Sequence, residues 1–138
     1  MTSTLIDSNV LIDVMEGRPS WHDWAVSRLA ELADRGTFIL NQITYGEASI
    51  PYDSEAIFEA GFRLEWVVRE DIPWSAAFRA GKAFKQYKLR GGKRASVLPD
   101  FLIGAHAAVK GYRILTRDQA RFRTYFPEVE VIAPDTHP

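Results

Sequence analysis

The amino-acid sequence predicts an α/β fold, a single domain built on a mainly parallel five-stranded sheet. Three observations carry this reading. Short apolar runs alternate with segments of helical periodicity, the order that a parallel sheet with crossover helices requires. Glycine and proline stand at most of the changeovers, as punctuation between elements. The chain of 138 residues, 46% hydrophobic and 12% aromatic, can bury one real core but is too short for two ordinary domains.

Taken in order, Thr4 to Ile6 reads as a buried first strand and Val10 to Met15 as a short helix closed by Gly17 and Pro19. Trp21 to Asp34 follows as a helix with Trp21, Trp24, Ala25, Leu29 and Leu32 at helical spacing, ending at Gly36. Thr37 to Leu40 is the second strand. A helix containing Glu47 runs to Pro51, another spans about Ser54 to Phe62, and a third strand lies near Leu64 to Val68. Pro73 is placed as the first residue of a long helix, with Trp74, Ala77, Phe78, Gly81 and Phe84 along one stripe and a stop at Gly91 and Gly92. Pro99 opens a helix from Asp100 to Lys110, closed by Gly111. Tyr112 to Leu115 and Val129 to Ile132 complete the strands. No repeat, low-complexity tract or linker interrupts the pattern.

Composition narrows the chemistry. Without cysteine there is no disulfide, no thiolate nucleophile and no cysteine-based zinc or iron–sulfur site. His22, His106 and His137 are too scattered for a histidine metal motif. Neither a signal peptide nor a membrane span is expected, so a soluble cytoplasmic protein without membrane contact is the default. The formal net charge of -1 hides an uneven distribution: Arg79 to Arg94 holds seven of the seventeen basic residues and no acidic one. A solvated helix face is the commoner meaning of such a run, and a polyanion on one edge of the protein is the functional one.

Four carboxylates recur at one kind of place. Asp7 ends the first strand, Glu47 lies in the helix after the second, Asp100 starts the helix leading to the fourth, and Asp118 follows the fourth. Ligand sites in open parallel sheets form outside the carboxyl ends of the strands. Taken singly, Asp118 reads as a cap of the DQARF helix, Asp100 as a first-turn acid favoured by the macrodipole, and Glu47 as a solvated residue. Asp7 resists that treatment, since a carboxylate within an apolar run is costly unless paired. Crowded carboxylates call for hard oxygen-seeking ions such as Mg²⁺ or Mn²⁺, one ion or two about 4 Å apart. The chemistry then associated is phosphodiester hydrolysis by water, with Asn9 and Thr116 as neutral hydrogen-bonding support for the acids. Asp13, on the short first helix, is expected to be exposed and outside this set.

These residues resemble a known family. LIDSNVLID, NQITYGEAS, LPDFLIGAHA and ILTRDQARF, in that order, are similar to the motifs of PIN-domain nucleases, and most of all to the VapC-type ribonuclease toxins of toxin–antitoxin modules. The resemblance runs from Thr4 to about Ile132. It implies a single PIN domain over the whole chain, residues 1–138, with helices on both faces of the sheet. It implies Asp7, Glu47, Asp100 and Asp118 as the catalytic, metal-binding acids, with Asn9 and Thr116 as support and Mg²⁺ or Mn²⁺ as cofactor. It further implies endoribonuclease activity on a transfer RNA or ribosomal RNA loop, homodimerisation, and inhibition by a small VapB-like antitoxin. Under it, Arg79, Lys82, Lys85, Lys88, Arg90, Lys93 and Arg94 become candidate RNA-binding residues, with Gly91 and Gly92 letting the chain approach RNA. Tyr87 then reads as core, dimer contact or base-stacking residue, and Trp21 and Trp24 as core or as part of a groove for an amphipathic antitoxin segment.

Other readings meet specific obstacles. A haloacid dehalogenase-type phosphatase needs a second aspartate two residues after its nucleophile, where this chain has Asn9. A receiver domain needs an early adjacent acidic pair and a late pocket lysine. A PIN nuclease of RNA processing and a PIN fold that binds without cutting remain as alternatives, the latter opposed by the intact set of four acids.

Overall fold

The computed structural model describes residues 2–62 and 64–138. Five strands, β1 (Thr4–Ile6), β2 (Phe38–Leu40), β3 (Val67–Arg69), β4 (Arg113–Leu115) and β5 (Val131–Ile132), form one sheet in the order β3-β2-β1-β4-β5. Every pairing is parallel, with Thr4 opposite both Phe38 and Arg113. The seven helices among the described residues are α1 (Ser8–Glu16), α2 (His22–Leu32), α3 (Gln42–Ser49), α4 (Glu55–Gly61), α5 (Trp74–Leu89), α6 (Leu98–Lys110) and α7 (Ala120–Tyr125).

Side-chain alternation along the strands divides the core in two. Leu5, Ile39, Ile114 and Val131 face one side and pack with Ala76, Ala80, Phe101 and Ile103 of α5 and α6. Ile6, Phe38, Leu40, Leu115 and Ile132 face the other and pack with Val10, Leu11, Ala25, Leu32 and Phe58. Both faces of the sheet are therefore covered, as the continuous apolar strands require.

The chain builds outward from β1 to β3, returns through α5 and α6, and inserts β4 on the other flank of β1. The boundary between β1 and β4 is thus the point where the winding reverses, the place beyond the strand ends where open parallel sheets form their ligand sites. Asp7 leaves β1 on one side of it. Thr116 to Asp118 leave β4 on the other.

Four sequence expectations are corrected. The segment expected as a strand from Leu64 begins as a 3₁₀ turn, Leu64–Trp66, and only Val67–Arg69 is paired. The expected apolar stripe of α5 is rotated: Ala76, Ala80 and Ala83 are buried, while Trp74 is 91% and Phe78 69% exposed. Small side chains let α5 lie close on its neighbours, so bulk was a poor guide to which face turns inward. Pro73 caps α5 rather than opening it, and Gln119, not Asp118, occupies the cap position of α7. The capping explanation for Asp118 falls away.

Candidate functional site

Asp7 is where the local rules and the site coincide. It is the N-cap of α1, in extended backbone geometry, and its Oδ1 accepts the Ser8 backbone N–H at 2.8 Å. Its Oδ2 accepts the Thr116 hydroxyl at 2.7 Å and Asn9 Nδ2 at 3.2 Å. Asn9 Nδ2 also reaches Thr116 Oγ1 at 3.3 Å, and Asn9 Oδ1 accepts the Arg117 N–H at 3.3 Å. The hydroxyl of Thr116 in turn accepts the Asp118 N–H at 3.0 Å. Asn9 and Thr116, the two expected supports, thus fasten the end of β1 to the loop after β4.

Burial pushes the Asp7 carboxyl up to about 7; the Thr116 hydrogen bond opposes this, while the neighbouring charges of Asp100 and Glu47 add to it. Glu47 is brought in by a residue to which the sequence assigned no role: Ser8 Oγ donates to Glu47 Oε1 at 2.8 Å and lies 3.5 Å from Asp7 Oδ1. Asp100, in the first turn of α6, is also raised by burial, an effect that the Arg121 ion pair offsets and the nearby Asp118 reinforces. Arg121 Nη1 donates to Asp100 Oδ2 at 2.7 Å. Of the four acids named from the sequence, Glu47 and Asp100 therefore act by their charges on Asp7, and Asp118 acts on Asp100. Among the described residues no three histidine or carboxylate side chains stand as a closed metal-ligand group. The chemistry of the donors nevertheless suits a hard cation: every one is an oxygen, and the buried Asp7 carboxylate gains most from added positive charge.

Asp13 overturns its expectation. It is fully buried, and Arg117 clasps it with Nε at 2.6 Å and Nη2 at 3.3 Å, while Arg18 stands 3.8 Å away. The Arg117 guanidinium also lies 5.5 Å from the centre of the Trp21 ring. Trp21 is thereby explained as a platform for Arg117, and Trp24 packs on the core with its Nε1 donating to the His137 carbonyl at 2.6 Å.

Of the basic run, Lys82, Lys85, Lys88, Arg90, Lys93 and Arg94 are exposed, whereas Arg79 is ion-paired with Glu128. Tyr87 packs among Phe84, Phe101 and Tyr125 and so is core rather than a stacking platform. The loop after α5 is not loose: Gly92 donates its N–H to the Tyr87 carbonyl at 2.9 Å, and a Cβ there would collide with the Tyr87 ring. The Tyr87 hydroxyl accepts the Arg94 N–H at 3.2 Å. That clamp fixes the end of the basic run, and the charge of Arg94 slightly opposes the rise that burial gives the Asp100 carboxyl.

Comparison with known proteins follows the same lines. A family model described as the PIN domain matches residues 4–126. Among solved structures, the chain is similar to VapBC2 of Rickettsia felis bound to a promoter DNA fragment, with a TM-score of 0.75, 16% identity, and 95% of this chain and 98% of that one covered. It is similar to VapBC-1 of nontypeable Haemophilus influenzae, with a TM-score of 0.73, 19% identity, and coverage of 95% and 97%. A toxin–antitoxin complex of Klebsiella pneumoniae gives a TM-score of 0.66 at 24% identity, covering 95% and 97%. No curated protein sequence matches. No helix among the described residues is long and apolar enough to cross a membrane.

Proposed function

Because the chain belongs to the PIN-domain family, we propose that it is a metal-dependent endoribonuclease, the toxin of a type II toxin–antitoxin pair. The observation that supports the reading is the nearness of Glu47 and Asp100 to the buried Asp7, with Asp118 acting on Asp100, at the sheet's switch point. The toxin role is supported by likeness to structures described as VapBC and toxin–antitoxin complexes, whose partner proteins suggest a small VapB-like antitoxin here.

Asp7, Glu47, Asp100 and Asp118 would hold Mg²⁺ or Mn²⁺. When bound, such an ion supplies the positive charge against which negative charge builds on the attacking and leaving oxygens of a phosphodiester. The chain's own residues do the rest. Thr116, Asn9 and the Ser8 N–H hold Asp7 by hydrogen bonds that favour its ionised form. Ser8 keeps Glu47 aimed at the same space. Lys82, Lys85, Lys88, Arg90, Lys93 and Arg94 draw in the backbone of a structured RNA, such as a transfer RNA or ribosomal RNA loop, and a homodimer would double that surface.

The test is cleavage of RNA by the purified chain with Mn²⁺, with excess chelator, and in Asp7→Asn and Asp100→Asn. The reading expects cleavage by the wild type only, and only with the ion. Cleavage undiminished in both variants would contradict the site, and RNA retention without any product would favour a binding module.

A further inference from the structure

We infer that Arg121 is a catalytic residue of the proposed nuclease site, its guanidinium contacting the phosphate that is cut. This rests on the nuclease reading above. Glu47 and Asp100 lie near Asp7, and Asp118 acts on Asp100, so RNA must bring another negative charge beside acids that already repel one another. Like charges held close together in a partly buried site repel one another far more strongly than in open water. One divalent ion offsets two of the four charges and leaves the phosphate still repelled. A fixed cation inside the cluster meets that need.

Arg121 is the arginine so placed. Its side chain is 23% exposed and its Nη1 donates to Asp100 at 2.7 Å. Among the described residues its Nε and Nη2 hydrogens meet no acceptor. Other arginines with close carboxylate partners are committed elsewhere: Arg117 spends Nε and Nη2 on Asp13, Arg123 both Nη atoms on Asp135, and Arg79 pairs with Glu128. Arg121 therefore keeps part of a planar fork directed at no protein anion, and such a fork matches two phosphate oxygens at once. Its position is set by α7, which starts at Ala120, two residues beyond Asp118, so the cation and the fourth acid arrive on the same short segment. Arg94 differs: it is exposed and touches the site only through its field on Asp100.

The alternative is that Arg121 merely orients Asp100, and the variants separate the two. Arg121→Gln keeps an N–H donor for Asp100 and most of the stem but loses the charge, whereas Arg121→Ala loses both. Cleavage of an RNA oligonucleotide with Mn²⁺, Mn²⁺ binding by calorimetry, and melting temperature are measured for wild type and both variants. The inference expects both variants to lose about 100-fold in kcat, with Mn²⁺ affinity within about threefold of wild type, and added guanidinium to restore part of the activity of Arg121→Ala. Full activity in Arg121→Gln, or Mn²⁺ binding lost in step with activity, overturns it and makes Arg121 a positioning residue. If only Arg121→Ala melts early, the glutamine variant still decides. Wild-type protein inert on RNA overturns the nuclease reading itself, and this inference with it.

Discussion

Thr116 Oγ1 stands 2.7 Å from Asp7 Oδ2, and both side chains are buried. One hydroxyl thereby ties the end of β4 to the end of β1 across the switch point, donating to Asp7 and accepting from Asn9 and Asp118. A valine fits the same space but leaves those partners unmatched. Thr116→Val should cost about 2 kcal/mol in urea unfolding and lower cleavage roughly 10–100-fold. Thr116→Ser, which keeps the hydroxyl, should retain most of both. Equal behaviour of valine and serine would show that the hydroxyl is dispensable.

The Asp13–Arg117 pair is a second fastening of the same loop from behind. Removing one member of a buried pair strands the other charge, so Asp13→Asn should destabilise by roughly 3 kcal/mol, a fall in melting temperature on the order of 10 °C. Asp13→Leu with Arg117→Met should lose less than Asp13→Asn alone, because no charge is left unmatched. A double variant as unstable as the sum of the singles would mean the two side chains do not act together.

His106 makes stability depend on pH. Asn41 Oδ1 caps α3 by accepting the Ile43 and Thr44 N–H groups at 3.0 and 3.2 Å, which turns its Nδ2 toward His106 Nδ1 at 3.1 Å. Nδ1 is then an acceptor, and Nε2 donates to Glu70 Oε2 at 2.7 Å. Burial lowers the His106 pKa below 6.5, although Glu70 favours the charged ring, and Lys110 and Tyr112 also border Glu70. With the folded pKa depressed, the unfolded chain binds the extra proton first, so stability present above pH 6.5 is lost as pH falls below it. Asp7, raised to about 7, titrates in the opposite sense in metal-free protein, so the difference between wild type and His106→Gln is the informative quantity. Wild type should lose stability relative to the variant between pH 6.5 and 5. Parallel pH profiles would remove His106 from the account.

Much of this was legible in the sequence, for identifiable reasons. The strand-end acids and the alternation of elements follow from local pattern, and the all-parallel sheet with both faces covered follows from them. Asp13 was misjudged because its partner lies at Arg117, far along the chain, and nothing local marks a buried ion pair. The inward face of α5 was misjudged because alanines, not the bulky Trp74 and Phe78, make the close approach. Ser8 stood beside Asp7 in plain view, but its bond to Glu47 exists only once β1 and α3 are packed. Arg121 gave no signal at all until Asp100 stood beside it.

The central claim is that Asp7 anchors a divalent cation among the four acids, and calorimetric titration of Mn²⁺ into the purified chain tests it most directly. Asn is as good an N-cap as Asp, so Asp7→Asn should remain folded and melt no earlier than the metal-free wild type. The account predicts saturable Mn²⁺ binding in the wild type and a loss of at least about tenfold in affinity in Asp7→Asn. Equal Mn²⁺ affinity in the two proteins, with both folded, would contradict it.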